Sequence, residues 1–293
     1  MRVLILGATG MLGHKLCQVL GTRFRVTGTV RSSFRNVPLP GPFDRSSIVP
    51  GIDVLSKERV ESALSEAAPD VVVNAVGIVK ALTREKGTAR NIAVNSLFPH
   101  SLYELCHSRG IHLIHISTDC VFSGRKGDYR EEDLSDAEDL YGKTKYLGEV
   151  EEDGAVTLRT SFIGRELTTA SGLVEWFLSN EGGRINGFTG AIYSGFPSIH
   201  LARIIGDLIA ERPRLQGIYH VSSEPISKYR LLVMLKEALG LHIEIGMNSD
   251  FQCDRSLDST RFRSETGFTP PSWEQMVAEF VADAVRYPEW RAG

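Results

Sequence analysis

The chain has 293 residues, of which 42% are hydrophobic and 24% charged, and its formal net charge is −3. This balance argues against a nucleic-acid-binding role, and no apolar run approaches the roughly 20 residues of a membrane span. The first residues indicate a strand rather than a signal peptide. The four cysteines are scattered without a CxxC pair, so we expect a reduced, cytoplasmic protein that contacts neither nucleic acid nor membrane.

Residues 3–6 are a short apolar run, which is typical of a parallel strand buried on both faces. A glycine-rich turn follows at once, and an amphipathic segment, residues 14–20, comes after it. In this context the three glycines permit a tight turn, close approach of the backbone to a pyrophosphate, and close helix–strand packing. The helix N-terminus then faces the phosphate charge. The predicted dinucleotide contacts are Gly7, Thr9, Gly10, Met11, Leu12 and Gly13.

The second predicted strand, residues 24–30, ends in Arg31 and Ser32. An NAD site usually has an acid near this position for the ribose hydroxyls, whereas an arginine accommodates the 2′-phosphate of NADP. No Asp or Glu occurs before residue 44. We therefore interpret Arg31 and Ser32, helped by Ser33 and Arg35, as a phosphate clamp with charge-assisted hydrogen bonds. Solvated loop arginines are common, but the missing acid also favours NADP.

Residues 34–52 contain closely spaced prolines and are predicted to be a loop. Asp53 and Val54 come next, before a helix that begins near Ser56. One carboxylate and one backbone amide at this point suit an adenine ring, so we include both residues in the predicted cofactor site. An ordinary loop acid is the competing interpretation.

A third buried strand ends at Ala75, and Gly77 after it suits a backbone lying close to the cofactor. A long helix is predicted over residues 89–107, with a kink or break at Pro99. On this helix, Asn95 is either a polar residue that supports the site or a solvent-facing one.

The fourth strand, residues 112–116, leads into Thr118. In a doubly wound sheet, ligands bind in the crevice beyond the carboxyl ends of the strands. Tyr141 and Lys145 then stand four residues apart, so on a helix they share one face. A nearby ammonium would lower the pKa of the phenol and make it an acid–base group for a carbonyl or an alcohol. The eight histidines form no metal-ligand spacing, and we predict no metal site.

The second half alternates less regularly between strand and helix. We predict strands at residues 156–159 and 217–222, a glycine-rich stretch at 182–195, and helices at 172–179, 198–211, 227–239 and 272–284. The expected fold is an α/β, Rossmann-type doubly wound parallel sheet with a smaller α/β substrate-binding C-terminal domain. Residues 1–165 would form the NADP-binding domain. Residues 166–293 would be mainly substrate-binding, with some elements returning to the first domain.

The glycine motif, the hydroxyl at Thr118 and the Tyr141–Lys145 pair, in this order, resemble the extended short-chain dehydrogenase/reductase family. Within it, the chain is most similar to the dTDP-4-dehydrorhamnose reductases. The similar stretches span nearly the whole chain and are residues 117–119, 121–122, 141–145, 148–149, 158–161, 255–258 and 271–273.

The resemblance implies that Thr118, Tyr141 and Lys145 are the catalytic residues. Lys145 would also hold the nicotinamide ribose, and Tyr141 would protonate the carbonyl oxygen as hydride reaches the carbon. The implied reaction is NADPH-dependent reduction of the 4-keto group of a nucleotide-activated 6-deoxyhexose, for surface polysaccharide precursors. The predicted partners are this nucleotide-sugar substrate and, in a homodimer, a second copy of the chain.

Two departures leave alternatives open. Cys120 replaces the tyrosine usual in the rhamnose enzymes, and residues 162–165 and 172–177 replace their second-half pattern. A cysteine near the catalytic hydroxyl also occurs in GDP-fucose synthase, so epimerisation is an alternative. On an extended chain the Cys120 thiol would lie on the side of Thr118, and His200 is a candidate second acid. A third hypothesis is a non-catalytic, NADP-binding regulatory subunit, which would need neither Tyr141 nor a catalytic lysine.

Overall fold

The computed structural model describes residues 1–32, 47–167, 170–212 and 214–284. Ser33 and Arg35, two of the predicted phosphate contacts, lie outside these ranges. So does most of the predicted loop 34–52. Within the described residues, no helix has the length and apolar character needed to cross a bilayer.

The described residues contain the following strands in chain order: β1 (Arg2–Leu6), β2 (Arg25–Val30), β3 (Ile48–Pro50), β4 (Val71–Asn74), β5 (His112–Ile116), β6 (Ala155–Arg159), β7 (Phe162–Ile163), β8 (Arg184–Tyr193), β9 (Phe196–Pro197), β10 (Gly217–His220), β11 (Ile226–Ser227) and β12 (Glu244–Asp254).

The described helices are α1 (Met11–Leu20), α2 (Lys57–Ala67), α3 (Thr83–Lys86), α4 (Thr88–Ile92), α5 (Phe98–His107), α6 (Leu140–Tyr146), α7 (Leu173–Leu178), α8 (Ser198–Glu211), α9 (Lys228–Leu239), α10 (Thr260–Thr266) and α11 (Trp273–Ala284).

Seven parallel strands form the central sheet in the order β10-β6-β5-β4-β1-β2-β3. The inner strands β1 and β4 are almost wholly buried because helices cover both faces of the sheet. Leucines and isoleucines of α1 and α8 pack on one face, and those of α2 and α5 pack on the other. The predicted doubly wound α/β fold is confirmed, and β10 from the second half of the chain forms an edge of this sheet.

A smaller three-stranded sheet lies in the second half, with β8 between β11 and β12. β8 occupies most of the stretch 182–195, which we interpreted only as glycine-rich. The two glycines within this strand leave room for side chains of neighbouring elements. A Cβ on Gly187 would lie 2.8 Å from the Tyr229 ring, and one on Gly190 would lie 2.2 Å from the Gln252 amide. Close packing by Tyr229 and Gln252 therefore explains why this strand lacks an apolar alternation.

Two first-half predictions are corrected. Residues 48–50 are not loop but the edge strand β3, which pairs with β2. The helix predicted over residues 89–107 is broken into α4, a wide π-helical turn at Ala93–Leu97, and α5. Pro99 lies in the first turn of α5, where its missing N–H costs no hydrogen bond. The break therefore precedes the proline.

Candidate functional site

The turn between β1 and α1 has the backbone geometry that a dinucleotide needs. Gly7 has a φ of +86°, and its carbonyl accepts a hydrogen bond from the N–H of Gly10. A Cβ on Gly13 would lie 2.0 Å from the Gly7 carbonyl oxygen, so only glycine fits there. Leu12 packs its side chain into the core, whereas Met11 lies beside the loop at Gly164 and Gly172. This turn leaves the N-terminus of α1 open to a phosphate.

A cavity of about 410 Å3 adjoins this turn at the carboxyl ends of β1, β2 and β4. The predicted cofactor contacts among its lining residues are Gly7, Thr9, Gly10, Arg31, Ser32, Asp53, Val54, Ala75 and Gly77. They come from four separate segments, and the sheet topology brings them together. Met11, Leu12 and Gly13 are not part of this wall. The glycine turn and the lining residues fit the adenosine and pyrophosphate parts of a dinucleotide.

Two cations in this cavity were missed by the sequence analysis. Lys86 on α3 and Arg90 on α4 line it together with Arg31 and Asp53. The Arg90 guanidinium lies 3.8 Å from the Asp53 carboxylate. Three cations and one acid thus surround the space next to Ser32, which favours an anionic group. Nothing in the sequence of residues 83–90 distinguishes these two cations from ordinary solvent-facing ones.

Thr118 lies at the carboxyl end of β5, where the backbone turns into a short 3-10 segment, Asp119–Val121. Its hydroxyl accepts a hydrogen bond from the N–H of Cys120 at 3.2 Å and donates one to the Asp119 carboxylate at 3.1 Å. The predicted extended geometry from Thr118 to Cys120 is therefore wrong. The hydroxyl is 7% exposed and is fixed by these two bonds.

Helix α6, which carries Tyr141 and Lys145, approaches this turn closely. Asp139 caps its N-terminus by accepting a hydrogen bond from the N–H of Gly142 at 2.9 Å. A Cβ on Gly142 would lie 2.2 Å from the Cys120 carbonyl oxygen, and one on Gly148 would lie 1.9 Å from that of Asn95. These two glycines let the helix lie directly against the Thr118 turn and the π-helical turn.

Tyr141 and Thr118 lie close to each other as predicted, and the Thr118 hydroxyl is near enough to the phenol to affect its pKa. Burial raises the pKa of the Tyr141 phenol, the Cys120 thiol and the Asp119 carboxyl raise this pKa further, and the Thr118 hydroxyl opposes the rise. The predicted lowering of the Tyr141 pKa by Lys145 is therefore wrong for this structure. A phenol that stays protonated is suited to donate a proton rather than to accept one.

Lys145 is 4% exposed, and its ammonium lies against β5. Nζ donates a hydrogen bond to the carbonyl oxygen of Ile116 at 2.8 Å and lies 3.4 Å from Nε2 of His115. Burial lowers the pKa of Lys145 to about 8, and the Glu149 carboxylate opposes this fall. The lysine is thus held behind Thr118 by backbone and side-chain atoms of the same strand.

A buried ion pair also stabilises the turn that contains Thr118. Arg159 on β6 makes two hydrogen bonds to Glu149, at 2.9 and 2.7 Å, and both side chains are 3% exposed. Glu149 also accepts a hydrogen bond from the Ser117 hydroxyl at 2.7 Å. The residue before Thr118 is therefore tied to the segment that follows α6. In the sequence, residues 148–149 are marked only by the family resemblance, and nothing there predicts a role for Glu149.

Asn95 is also a supporting residue. Its amide accepts a hydrogen bond from the N–H of Ile78 at 2.8 Å and donates to the carbonyl of Ile78 at 3.0 Å. It also lies 3.4 Å from the Thr144 hydroxyl on α6. Because Asn95 is buried, the solvent-facing alternative is excluded. It links the loop after β4 to the catalytic helix.

The residues proposed for epimerisation have environments unsuited to it. Burial raises the pKa of the Cys120 thiol to about 12, the Asp119 carboxyl raises it too, and Arg255 and Lys80 oppose the rise. A thiolate near neutral pH is what the reaction would need. His200 is buried on α8 and pairs at 3.3 Å with Glu279 of α11. In the described ranges, no group of three or more potential ligands could hold a metal ion.

Comparison with protein families gives a match over nearly the whole chain. The model described as RmlD substrate binding domain matches residues 1–286. The spore coat polysaccharide biosynthesis protein SpsK of Bacillus subtilis is 26% identical, over 96% of this chain and 97% of that protein. A dTDP-4-dehydrorhamnose reductase of Aggregatibacter actinomycetemcomitans is 25% identical, over 97% of this chain and 99% of that protein.

Two further similarities bear on the alternatives. Methionine adenosyltransferase 2 subunit beta of Pongo abelii is 29% identical, over 82% of this chain and 72% of that protein. The solved dTDP-4-dehydrorhamnose reductase of Bacillus anthracis in complex with NADP has a TM-score of 0.79 and 20% identity. It matches 96% of this chain and 99% of that one. At this identity the solved structure supports the fold alone.

Proposed function

The chain belongs to the RmlD substrate binding domain family, and from this premise we propose that it is an NADPH-dependent reductase. Its substrate would be the 4-keto group of a nucleotide-activated 6-deoxyhexose. The chain is a nucleotide-sugar oxidoreductase of the dTDP-4-dehydrorhamnose reductase type. Preference for NADPH, a role in surface polysaccharide synthesis and a cytoplasmic location are parts of the proposal. The SpsK similarity supports the polysaccharide role.

The observation that carries the proposal is the placement of the Tyr141 phenol beside the Thr118 hydroxyl. Both lie at the carboxyl end of β5, and Lys145 is held behind them. A carbonyl oxygen between the phenol and the hydroxyl would receive one hydrogen bond from each, once the Thr118 hydroxyl turns its single proton from Asp119 to the substrate. Both bonds strengthen as negative charge develops on the oxygen. The nicotinamide, when bound, supplies the hydride.

The proton chemistry follows from the environments of these groups. Tyr141 has a raised pKa and is protonated at neutral pH, so it donates its proton to the developing alkoxide. Without substrate, the Thr118 hydroxyl donates its single proton to the buried Asp119, so binding of the carbonyl oxygen would redirect this bond. Below about pH 8 the Lys145 ammonium is charged. It would then bind the nicotinamide ribose.

The preference for NADPH rests on the cations of the adenosine cavity. Arg31 and Ser32 follow β2, where an acid would otherwise hold the ribose hydroxyls, and Lys86 and Arg90 add positive charge. We infer that these groups receive the 2′-phosphate. Asp53, the acid in the same wall, lies 3.8 Å from the Arg90 guanidinium. Its other oxygen accepts a hydrogen bond from the N–H of Leu55 at 3.0 Å.

The test is a panel of nucleotide-activated 4-keto-6-deoxyhexoses that differ in base and in sugar configuration. Each is mixed with the protein and NADPH, and cofactor oxidation is followed with product analysis by NMR. We expect reduction at C4 for at least one member, slowed by about 10²–10⁴ in Tyr141→Phe. Tight NADPH binding without turnover on the whole panel would contradict the proposal.

A regulatory subunit is the second candidate, because the chain is similar to a protein named as a subunit of methionine adenosyltransferase. Such a role needs the cofactor site but not the proton donor. The matched experiment mixes the chain with a methionine adenosyltransferase catalytic subunit and measures association by analytical ultracentrifugation. Stable association without ketosugar turnover would favour this candidate.

The same proposal assigns a different role to each half of the chain. Residues 1–165 would bind the cofactor, and residues 166–293 would supply most of the substrate contacts. A homodimer is the assembly we propose, and sedimentation equilibrium of the full chain would test it.

A further inference from the structure

Two fully buried polar side chains lie behind the catalytic lysine and have no place in the mechanism above. Asn74 ends β4 and His115 lies on β5, and the two residues are paired across the sheet. Both side chains are 0% exposed. A buried polar pair is expensive unless its hydrogen bonds are satisfied, so the direction of each bond carries information.

These side chains connect the loop after β4 to Lys145. The Asn74 carbonyl oxygen accepts a hydrogen bond from the N–H of Val76 at 3.1 Å. The Asn74 amide nitrogen lies 3.1 Å from Nδ1 of His115. Nε2 of the same ring lies 3.4 Å from Nζ of Lys145. A continuous series of hydrogen-bonding groups thus runs from Val76, which lines the cofactor cavity, to Lys145.

The hydrogen bonds that join Val76, Asn74, His115 and Lys145 can be satisfied in only one donor-to-acceptor direction at a time. A neutral imidazole has one donor nitrogen and one acceptor nitrogen. The Val76 N–H fixes the Asn74 amide, so that its N–H2 group donates to Nδ1 of His115. The proton then sits on Nε2 and points at Lys145. This tautomer suits an uncharged Lys145 amine, which can accept, but it opposes a charged ammonium.

Charging Lys145 requires the opposite order of bonds. The ammonium would donate to Nε2, the ring proton would move to Nδ1, and the Asn74 oxygen would turn to accept it. The Val76 N–H would then lose its acceptor. We propose that Asn74 and His115 are positioning residues that couple the protonation of Lys145 to the backbone of the cofactor loop at Val76–Gly77. This inference rests on the proposed role of Lys145.

The charged groups around His115 favour a change of its tautomer over a change in the charge of its ring. Burial lowers the pKa of His115 well below its usual range, and Lys145 and His100 lower it further. The ring is therefore neutral throughout the range in which Lys145 titrates. On the remaining sides, β6 presents the Thr157 hydroxyl and the segment after α6 presents Glu149. Burial lowers the pKa of Lys145 to about 8, so its charge changes in this range.

The experiment is a pH titration of the ligand-free protein, with 15N-labelled histidine rings and backbone amides observed by NMR. We expect the two ring nitrogens of His115 to exchange their protonated and unprotonated shifts with a midpoint near that of Lys145. The Val76 amide should move with the same midpoint. His112, on the same strand but away from Lys145, is the internal control and should keep its tautomer through that midpoint.

A single His115 tautomer across the whole range, or a Val76 amide that does not follow it, would overturn the proposal. So would an unchanged midpoint in a folded Lys145→Met variant. The wild-type titration is decisive even if that variant does not fold. The readout uses neither substrate nor cofactor, so its failure is distinguishable from failure of the ketosugar panel.

A second measurement tests the consequence for binding. His115→Gln replaces the ring by an amide that is not restricted to one donor and one acceptor nitrogen, and His112→Gln is the matched control. We expect the NADPH dissociation constant of wild type to change between pH 7 and 9. That pH dependence should shrink at least twofold in His115→Gln only. Identical pH profiles for all three proteins would contradict the coupling.

Discussion

The two ends of the crevice above the sheet differ in how much water reaches their functional groups. At the catalytic end, Thr118 and Lys145 are 7% and 4% exposed. At the adenosine end, the side chains of Lys86 and Arg90 keep 35% and 42% of their surface exposed. Burial shifts the pKa of Tyr141 and Lys145, whereas the adenosine-end cations act through screened contacts.

This difference implies a division of energetic roles. Buried, preorganised groups gain most when charge develops, so the catalytic end should control turnover. Exposed ion pairs contribute little each, so the adenosine end should control cofactor choice through several small terms. Substitutions at the two ends should therefore differ both in size and in the kinetic parameter that they change.

Tyr141→Phe is expected to have the largest effect, because it removes the proton donor and leaves the ring in place. Turnover should fall by about 10²–10⁴, a typical value for one acid–base group. The NADPH dissociation constant and the thermal midpoint should change little. The measurements are kcat on the accepted ketosugar, fluorescence titration with NADPH, and thermal unfolding.

Tyr146→Phe is the matched control, since Tyr146 lies on the same helix and is 40% exposed. It should retain full activity. If Tyr141→Phe kept near-wild-type turnover, the catalytic assignment of this end would be wrong.

Thr118→Val should lower kcat by roughly 10², the usual effect of deleting one hydrogen bond to a developing oxyanion. The variant also removes the acceptor for the Cys120 N–H. Thr118→Ser keeps the hydroxyl and should recover most of the activity. Equal losses in Val and Ser variants would indicate a packing defect instead.

The first half of the fold was predictable, and the candidate catalytic residues could be named, because their signals are local. β1, the glycine turn and the spacing of Tyr141 and Lys145 lie within short, contiguous segments. The strands that could not be predicted from the sequence depend on long-range packing. β8 and β12 carry glycines and polar residues that fit only beside each other, so neither showed a strand pattern.

The protonation states of the site residues and the full set of cavity-lining residues could not be predicted from the sequence either. The Tyr141 pKa depends on Cys120 and Asp119, which a 3-10 turn places near the phenol. An extended chain was assumed there, and the assumption gave the wrong geometry for the thiol. Lys86 and Arg90 lie on two short helices, α3 and α4, on either side of Gly87, and only the tertiary structure shows that both line the cavity.

Arg31→Asp tests the adenosine end. It should weaken NADPH binding about ten- to a hundredfold, since a charge-assisted phosphate contact is worth roughly 1.5–3 kcal/mol. NADH binding should change less or improve, because an acid can bind the ribose hydroxyls. Arg25→Asp, at the opposite end of β2, has the same charge change and is the control. Wild type that bound NADH more tightly than NADPH would contradict the cofactor assignment.

Lys86→Met and Arg90→Met should each weaken NADPH binding by only about two- to fivefold, the range of an exposed ion pair. The effect should vanish at high salt and should be absent for NADH. Arg84→Met is the control, because Arg84 lies on the same helix as Lys86 but outside the cavity wall. Equal effects on both cofactors would place these cations at the shared pyrophosphate rather than at the 2′-phosphate.

Cys120→Ser is expected to have the smallest effect. Cys120 is only partly exposed, and desolvation raises the pKa of its thiol to about 12, so at neutral pH the side chain is protonated. Turnover should stay within about twofold of wild type, the size of a small core change that leaves the chemistry intact.

Wild-type enzyme with oxidised cofactor and ketosugar in deuterium oxide should show no exchange at C3 or C5 by NMR. Exchange that disappeared in Cys120→Ser would instead make the protein an epimerase. The burial that keeps Tyr141 protonated for reduction also keeps this thiol from acting as a base, so a plain reductase is the expected outcome.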